Sequence, residues 1–216
     1  MRRPRSFLTQ YHWTFQLLFV AVAATSACCL SVTAIDRPVA EFINANVKLE
    51  WLLTARLLSV VSTLVPFVLL IVLIFGYVVT GESIKMRNRI ITLVVSASEA
   101  ILCVEIIKVM FWRTNVSEYL AAGMYSFRYL DFANSQDLSS FPSEYGAISG
   151  TIATSLCKMM PSYRPTLILL VLILTGSQIV SGVDFVSDIF SGLAIGIASF
   201  LVIEKIFAFI GDPRTE

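Results

Sequence analysis

Histidine is nearly absent from this chain: His12 is the only one in 216 residues, and it precedes the first long apolar run. Imidazole-based metal sites and histidine-driven phosphoryl or acid–base chemistry are therefore excluded from the apolar segments. Charge is also scarce, at 14% of residues with a net of +1, which offers no basic patch for nucleic acid. The four cysteines, Cys28, Cys29, Cys103 and Cys157, all fall in apolar runs. Their spacing suits neither a disulfide framework nor a metal site, and they read as small core residues. Nothing in the sequence asks for a cofactor or a metal.

What is abundant is apolar surface: 56% of residues are hydrophobic and the mean hydropathy is +0.79. This is not the composition of a soluble domain. Six stretches approach the ~20 residues that cross a bilayer as a helix. They run over 15–35, 57–80, 90–112, 142–160, 165–182 and 188–210, and predict an all-α integral membrane bundle of six spans in a single domain, 1–216. Ten of the sixteen lysines and arginines, including Arg2, Arg3, Arg5, Lys85, Arg87, Arg89, Lys158, Arg164, Lys205 and Arg214, fall on one side of that bundle. The positive-inside rule then puts both termini in the cytoplasm. The first span is too long for the apolar core of a cleaved leader and reads as an anchor.

Between the spans, 36–55 repeats Val39, Ile43, Val47 and Trp51 near helical period, as a short interfacial helix would. The 113–141 connection carries Tyr119, Tyr125, Phe127, Tyr129, Leu130 and Phe132, too aromatic for a linker, and is expected to fold over the outer mouth of the bundle. Gly146/Gly150 and Gly192/Gly196 give two helices the small faces that allow close packing.

Polar residues stranded in this sequence carry the chemistry. Lys108 ends the third span, Pro142-Ser143-Glu144-Tyr145 opens the fourth, and Ser177-Gln178 and Asp184…Asp188 straddle the turn between the last two. All lie at the outer ends of their helices, and Pro142 at the first position of the fourth leaves the amides that follow it free for an anion. Lys108 has Glu105 one turn back as an ion-pair partner. Asp184 and Asp188 share a helical face, where a divalent cation is a weak alternative.

The pattern resembles the type 2 phosphatidic acid phosphatase family, membrane lipid phosphatases related to haloperoxidases, whose motifs are K-x6-R-P, P-S-G-H and S-R-x5-H-x3-D. The stretch from Gly182 to Gly192 is similar to the family's G-x-H-F-x-S-D-V-x-x-G. In that family a third-motif histidine attacks phosphorus, oriented by the aspartate four residues on. The second-motif histidine protonates the leaving group, and a lysine and two arginines neutralise the phosphoryl oxygens.

At the matching positions Lys108, Pro142, Ser143, Ser177 and Asp188 agree with the motifs. Asn115 and Gln178 stand for the arginines, Tyr145 and Asp184 for the histidines, and Glu144 for glycine. Arg113, two residues early, is a candidate substitute for the first arginine, so that Lys108, Arg113 and Ser143 are the candidate phosphate ligands. A carboxylate at Glu144 would also satisfy the amides that a phosphate needs. With Lys108 facing Glu144, Asp184 and Asp188, the site sums to −2 if all ionise, and a phosphate monoester of about −1.5 to −2 is repelled. The resemblance thus implies the fold with a degraded centre: a catalytically inactive, lipid-binding or scaffold subunit of a membrane assembly. The alternative is a divergent lipid phosphate or diphosphate phosphatase in which Asp184 is the nucleophile and Lys108, Arg113 and Arg128 hold the substrate phosphate. Expected partners are membrane lipids, including a phosphorylated lipid of the outer leaflet, and other membrane subunits. The expected location is a bacterial inner membrane with the site facing the periplasm.

Overall fold

A computed structural model describes residues 7–80, 84–129 and 139–210. Arg2, Arg3, Arg5 and Arg214 of the charge argument, and Leu130 and Phe132 of the aromatic loop, lie outside the described residues. Each of the six apolar stretches forms a helix, because a helix satisfies every backbone polar group within the segment, and the chain stays helical through Pro66 in the second stretch and glycines of the later ones. These are α1 (Phe7–Leu30), α3 (Leu49–Thr80), α4 (Ile84–Met110), α6 (Glu144–Met159), α7 (Arg164–Val180) and α8 (Val186–Ile210). Two shorter helices, α2 (Asp36–Asn46) and α5 (Val116–Ala122), two strands, β1 (Phe111–Arg113) and β2 (Phe127–Tyr129), a π-helical turn at Ser31–Ile35 and a 3-10 turn at Pro161–Tyr163 complete the described elements.

Among the described residues, four stretches are long and apolar enough to cross a membrane: Leu17–Asn46, Arg87–Met110, Pro161–Val180 and Val186–Ile210. Helix α6, with 16 residues, falls short of the ~20 of a full crossing.

Two expectations change in detail. The stretch 36–55 is not one interfacial helix. Its first half, α2, continues α1 through a π-helical turn at Ser31–Ile35, and α3 already begins at Leu49. The reason is Asp36, whose side chain is buried at the join and bonded inward, which keeps the chain helical past the apolar run. Helix α4 ends at Met110, and Phe111–Arg113 turn into a strand paired antiparallel with Phe127–Tyr129. The described part of the 113–141 connection is therefore a two-stranded ribbon enclosing α5. Tyr119 and Tyr125 pack with Phe185 at the start of α8, so the ribbon covers that helix end.

Helices α4, α6 and α8 form the centre, with Ala100, Val104 and Ala147 buried together against Ile195. The paired glycines meet here. A Cβ on Gly196 would stand 1.9 Å from the Ala147 carbonyl oxygen, and one on Gly192 2.2 Å from that of Ser143. The small-residue faces thus bring α6 and α8 of one chain together.

Candidate active-site region

Three helix ends converge: the C-terminus of α4 and the N-termini of α6 and α8. Ser143 is the N-cap of α6, its Oγ accepting from the Gly146 amide at 3.1 Å. Helix α8 opens with half a capping box, in which Asp188 Oδ2 accepts the Phe185 amide at 3.0 Å. A backbone bond from the Ser143 amide to the Asp188 carbonyl, 3.0 Å, ties the two starts together.

The polar side chains sort into three groups. Deepest is a knot around Arg113, which is 0% exposed. Its Nη1 donates to Asp188 Oδ1 and to Ser187 Oγ (2.7 Å), and its Nη2 to Asp36 Oδ2 (2.7 Å) and the Tyr125 hydroxyl (2.8 Å). Asp36 also accepts from the amide of Ser187 (3.0 Å) and from its hydroxyl. The rings of Phe185, Phe127 and Tyr125 close over the guanidinium, with centroids 4.1–5.0 Å from Cζ. Burial opposes the Arg113 charge, but Asp188, Tyr125 and Asp36 outweigh it and raise its pKa. Burial likewise pushes Tyr125 up to about 12, so its hydroxyl keeps its proton.

The second group joins α6 to the turn before α8. Ser143 Oγ donates to Asp184 Oδ2 at 2.7 Å, and Asp184 is 6% exposed. Burial, followed by the nearby Asp188 carboxylate, lifts its pKa to about 7, against the smaller pull of Ser143 and Lys108. The third group is nearer the surface. Lys108 pairs with Glu144 across the helices and with Glu105 at 3.6 Å on its own helix.

Of the residues singled out by motif position, Lys108, Ser143, Asp184 and Asp188 come together, joined by Glu144 and Arg113. Tyr145 stands half-buried on the first turn of α6. Asn115 caps α5, accepting from the Glu118 amide at 2.8 Å. Ser177 is bonded to the carbonyl of Leu174 (2.7 Å), and Gln178 spans to α3, accepting from Ser59 Oγ at 2.7 Å. At the two arginine positions of the motif, Asn115 thus bonds the start of α5 and Gln178 bonds α3. Glu144 does not occupy the α6 amides as expected: Ser143 caps Gly146, and the Glu144 carboxylate goes to Lys108. Among the described residues, no group of three or more metal-ligating side chains is assembled.

Sequence reasoning missed Asp36, Ser187 and Tyr125. A carboxylate closing a 20-residue apolar run was the available signal for Asp36, because an intramembrane charge implies a partner. Beside the cluster, a groove of about 390 Å³ between α1, α4 and α8 is lined by Ala21, Ala24, Cys28, Pro142 and Ala194.

Comparison with known proteins places the architecture. The transmembrane PAP2-type phosphatidylglycerolphosphate phosphatase from Bacillus subtilis superposes with a TM-score of 0.60 at 16% identity, covering 94% of this chain and all of that one. LpxE from Aquifex aeolicus gives a TM-score of 0.55 at 20% identity, covering 80% of this chain and 96% of that one. At these identities the likeness is one of fold. No curated protein matches in sequence. The sequence model of the PAP2 superfamily matches residues 89–211, which include Lys108, Ser143, Asp184 and Asp188. More than half of the chain, with the helix ends that carry its polar cluster, is thus accounted for by one family, and the chain belongs to the PAP2 superfamily.

Proposed function

We propose that this membrane protein keeps the PAP2 fold without its phosphoryl-transfer chemistry, and serves as a lipid-binding or scaffold subunit of a membrane assembly. The observation that carries this reading is that both cations of the cluster are already neutralised by carboxylates of the same chain. Lys108 is held by Glu144 and Glu105, and Arg113 by Asp36 and Asp188. A phosphate monoester entering here would have to displace those carboxylates and face Asp184 as well.

The nucleophile is lacking on the same grounds. Asp184 sits where the family's attacking histidine stands, yet it is buried and engaged by Ser143. Asp188, which in the family orients that histidine, instead serves Arg113 and the start of α8. This geometry weighs against the alternative of an Asp184-based lipid phosphatase. The groove beside Pro142 supports the lipid-binding part, since its mostly apolar walls, among them Leu17, Val20, Ile107 and Ile195, fit a hydrocarbon chain of the surrounding bilayer. Six crossings, cytoplasmic termini and a cluster facing the periplasm of a bacterial inner membrane complete the proposal, on the placement of lysine and arginine.

The test is phosphate release by the purified protein in lipid, supplied with phosphatidic acid, phosphatidylglycerol phosphate and polyprenyl diphosphate. Release no greater than that of Asp184→Asn and Lys108→Ala is expected. Turnover that vanishes in both variants would overturn the proposal and establish a carboxylate nucleophile.

A further inference from the structure

At the opposite end of the central helices lies a second polar feature that the PAP2 motifs do not touch. A cavity of about 390 Å³ opens between the first turns of α4 and the last turns of α6 and α8. Sixteen residues of α8 separate Asp188 from Glu204, or about 24 Å of helix, so this cavity and the Asp184 cluster lie near opposite faces of the bundle.

Its lining combines two cations with a deep polar floor. Arg89 and Lys158 are exposed at its edge, and Glu204 faces Lys158 in an ion pair. The Lys158 ammonium also stands 5.4 Å from the centre of the Phe200 ring. On the floor, Ser155 is 2% exposed, and among the described residues its hydroxyl bonds only the Met159 sulfur, at 3.9 Å. A thioether is a weak acceptor, so that donor is largely unspent.

Charge decides which ligand suits this lining. Arg89 and Lys158 against Glu204 leave one positive charge, which matches the single negative charge of a phosphodiester. The first turns of α4 and the last turns of α6 and α8 meet here, and two negative dipole ends against one positive weigh more heavily against a dianion than against a monoanion. Phe200, Phe207 and Ala208 form an apolar side that contributes nothing to a free phosphate but suits the glycerol and first methylenes of a lipid. We propose that this cavity is a binding site for the phosphodiester headgroup of an anionic membrane lipid. Arg89 and Lys158 take the phosphate oxygens, and the Ser155 hydroxyl donates from below. The site goes beyond the reading given for the Asp184 end and does not depend on whether that end turns over.

Binding of short-chain phosphatidylglycerol to the full chain in detergent tests this, with short-chain phosphatidylcholine and inorganic phosphate as separate arms. Saturable binding of phosphatidylglycerol is expected, weakened about tenfold by Arg89→Gln through loss of a charge-assisted hydrogen bond. Glu204→Gln removes the competing carboxylate and is expected to tighten binding several-fold, a direction that misfolding cannot imitate. Gly176→Ala on α7, which does not line this cavity and has nothing within 4 Å of the new Cβ, is expected to leave it unchanged. Equal binding of phosphatidylcholine, binding of inorganic phosphate alone, or indifference to both Arg89→Gln and Glu204→Gln would overturn the assignment.

Discussion

Replacing Arg113 by methionine is the sharpest probe of the buried knot. The guanidinium holds four partners, and two of them, Asp36 and Asp188, are carboxylates that are 1% and 0% exposed. Methionine fills much of the volume between the rings but leaves both carboxylates without a cation. Breaking a buried pair in this way costs about 3–5 kcal/mol. Asp36→Asn perturbs the same knot very differently. It leaves Arg113 paired with Asp188, and the oxygen of the new side-chain amide can still accept from Ser187, so about 1–2 kcal/mol is at stake. At ~2–4 °C per kcal/mol for a domain of this size, Arg113→Met should lower the melting temperature in detergent by roughly 6–20 °C. The decisive result is the ranking of the two variants, read from intrinsic fluorescence during a thermal ramp. If Asp36→Asn costs as much as Arg113→Met, Arg113 is not neutralising two buried carboxylates, and the charge argument for the inactive centre fails with it.

Other outcomes follow from the same geometry. The pKa of Asp184 is raised from 3.8 to about 7, so its protonated form is favoured by folding. Its contribution is greatest below pH 4 and is lost as pH rises toward 7; Asp184→Asn should flatten the fall of melting temperature across that interval. Gly196→Ala drives a methyl group into the Ala147 carbonyl and should cost about 1–3 kcal/mol. Gly176→Ala, where nothing lies within 4 Å of the new Cβ, should be neutral or gain about 0.4–1 kcal/mol. Thermal ramps of the two alanine variants measure that contrast, and equal losses would contradict the α6–α8 packing.

The helices were legible because hydrophobic runs of bilayer length leave the backbone little alternative, and Lys108, Ser143, Asp184 and Asp188 declared themselves as polar residues at helix ends. The glycine pairs likewise announced a close helix contact, and α6 against α8 is where it formed. Spacing within a helix also found the Glu105–Lys108 pair, since i,i+3 neighbours share a face whatever the fold. Across helices this logic ends. Nothing in the spacing could say that Arg113 would reach Asp36, 77 residues earlier, or that Gln178 would turn to Ser59 on α3. A buried charge must find a partner because desolvation is costly, but which partner is set by the register and rotation of packed helices. Chain order thus determined the bundle, its polar helix ends and the missing histidines. Only the folded arrangement decided that Arg113 would be answered from within the chain and that Lys108 would gain Glu144 beside Glu105, because only packing brings carboxylates from α2, α6 and α8 to the end of α4 and the strand that follows it.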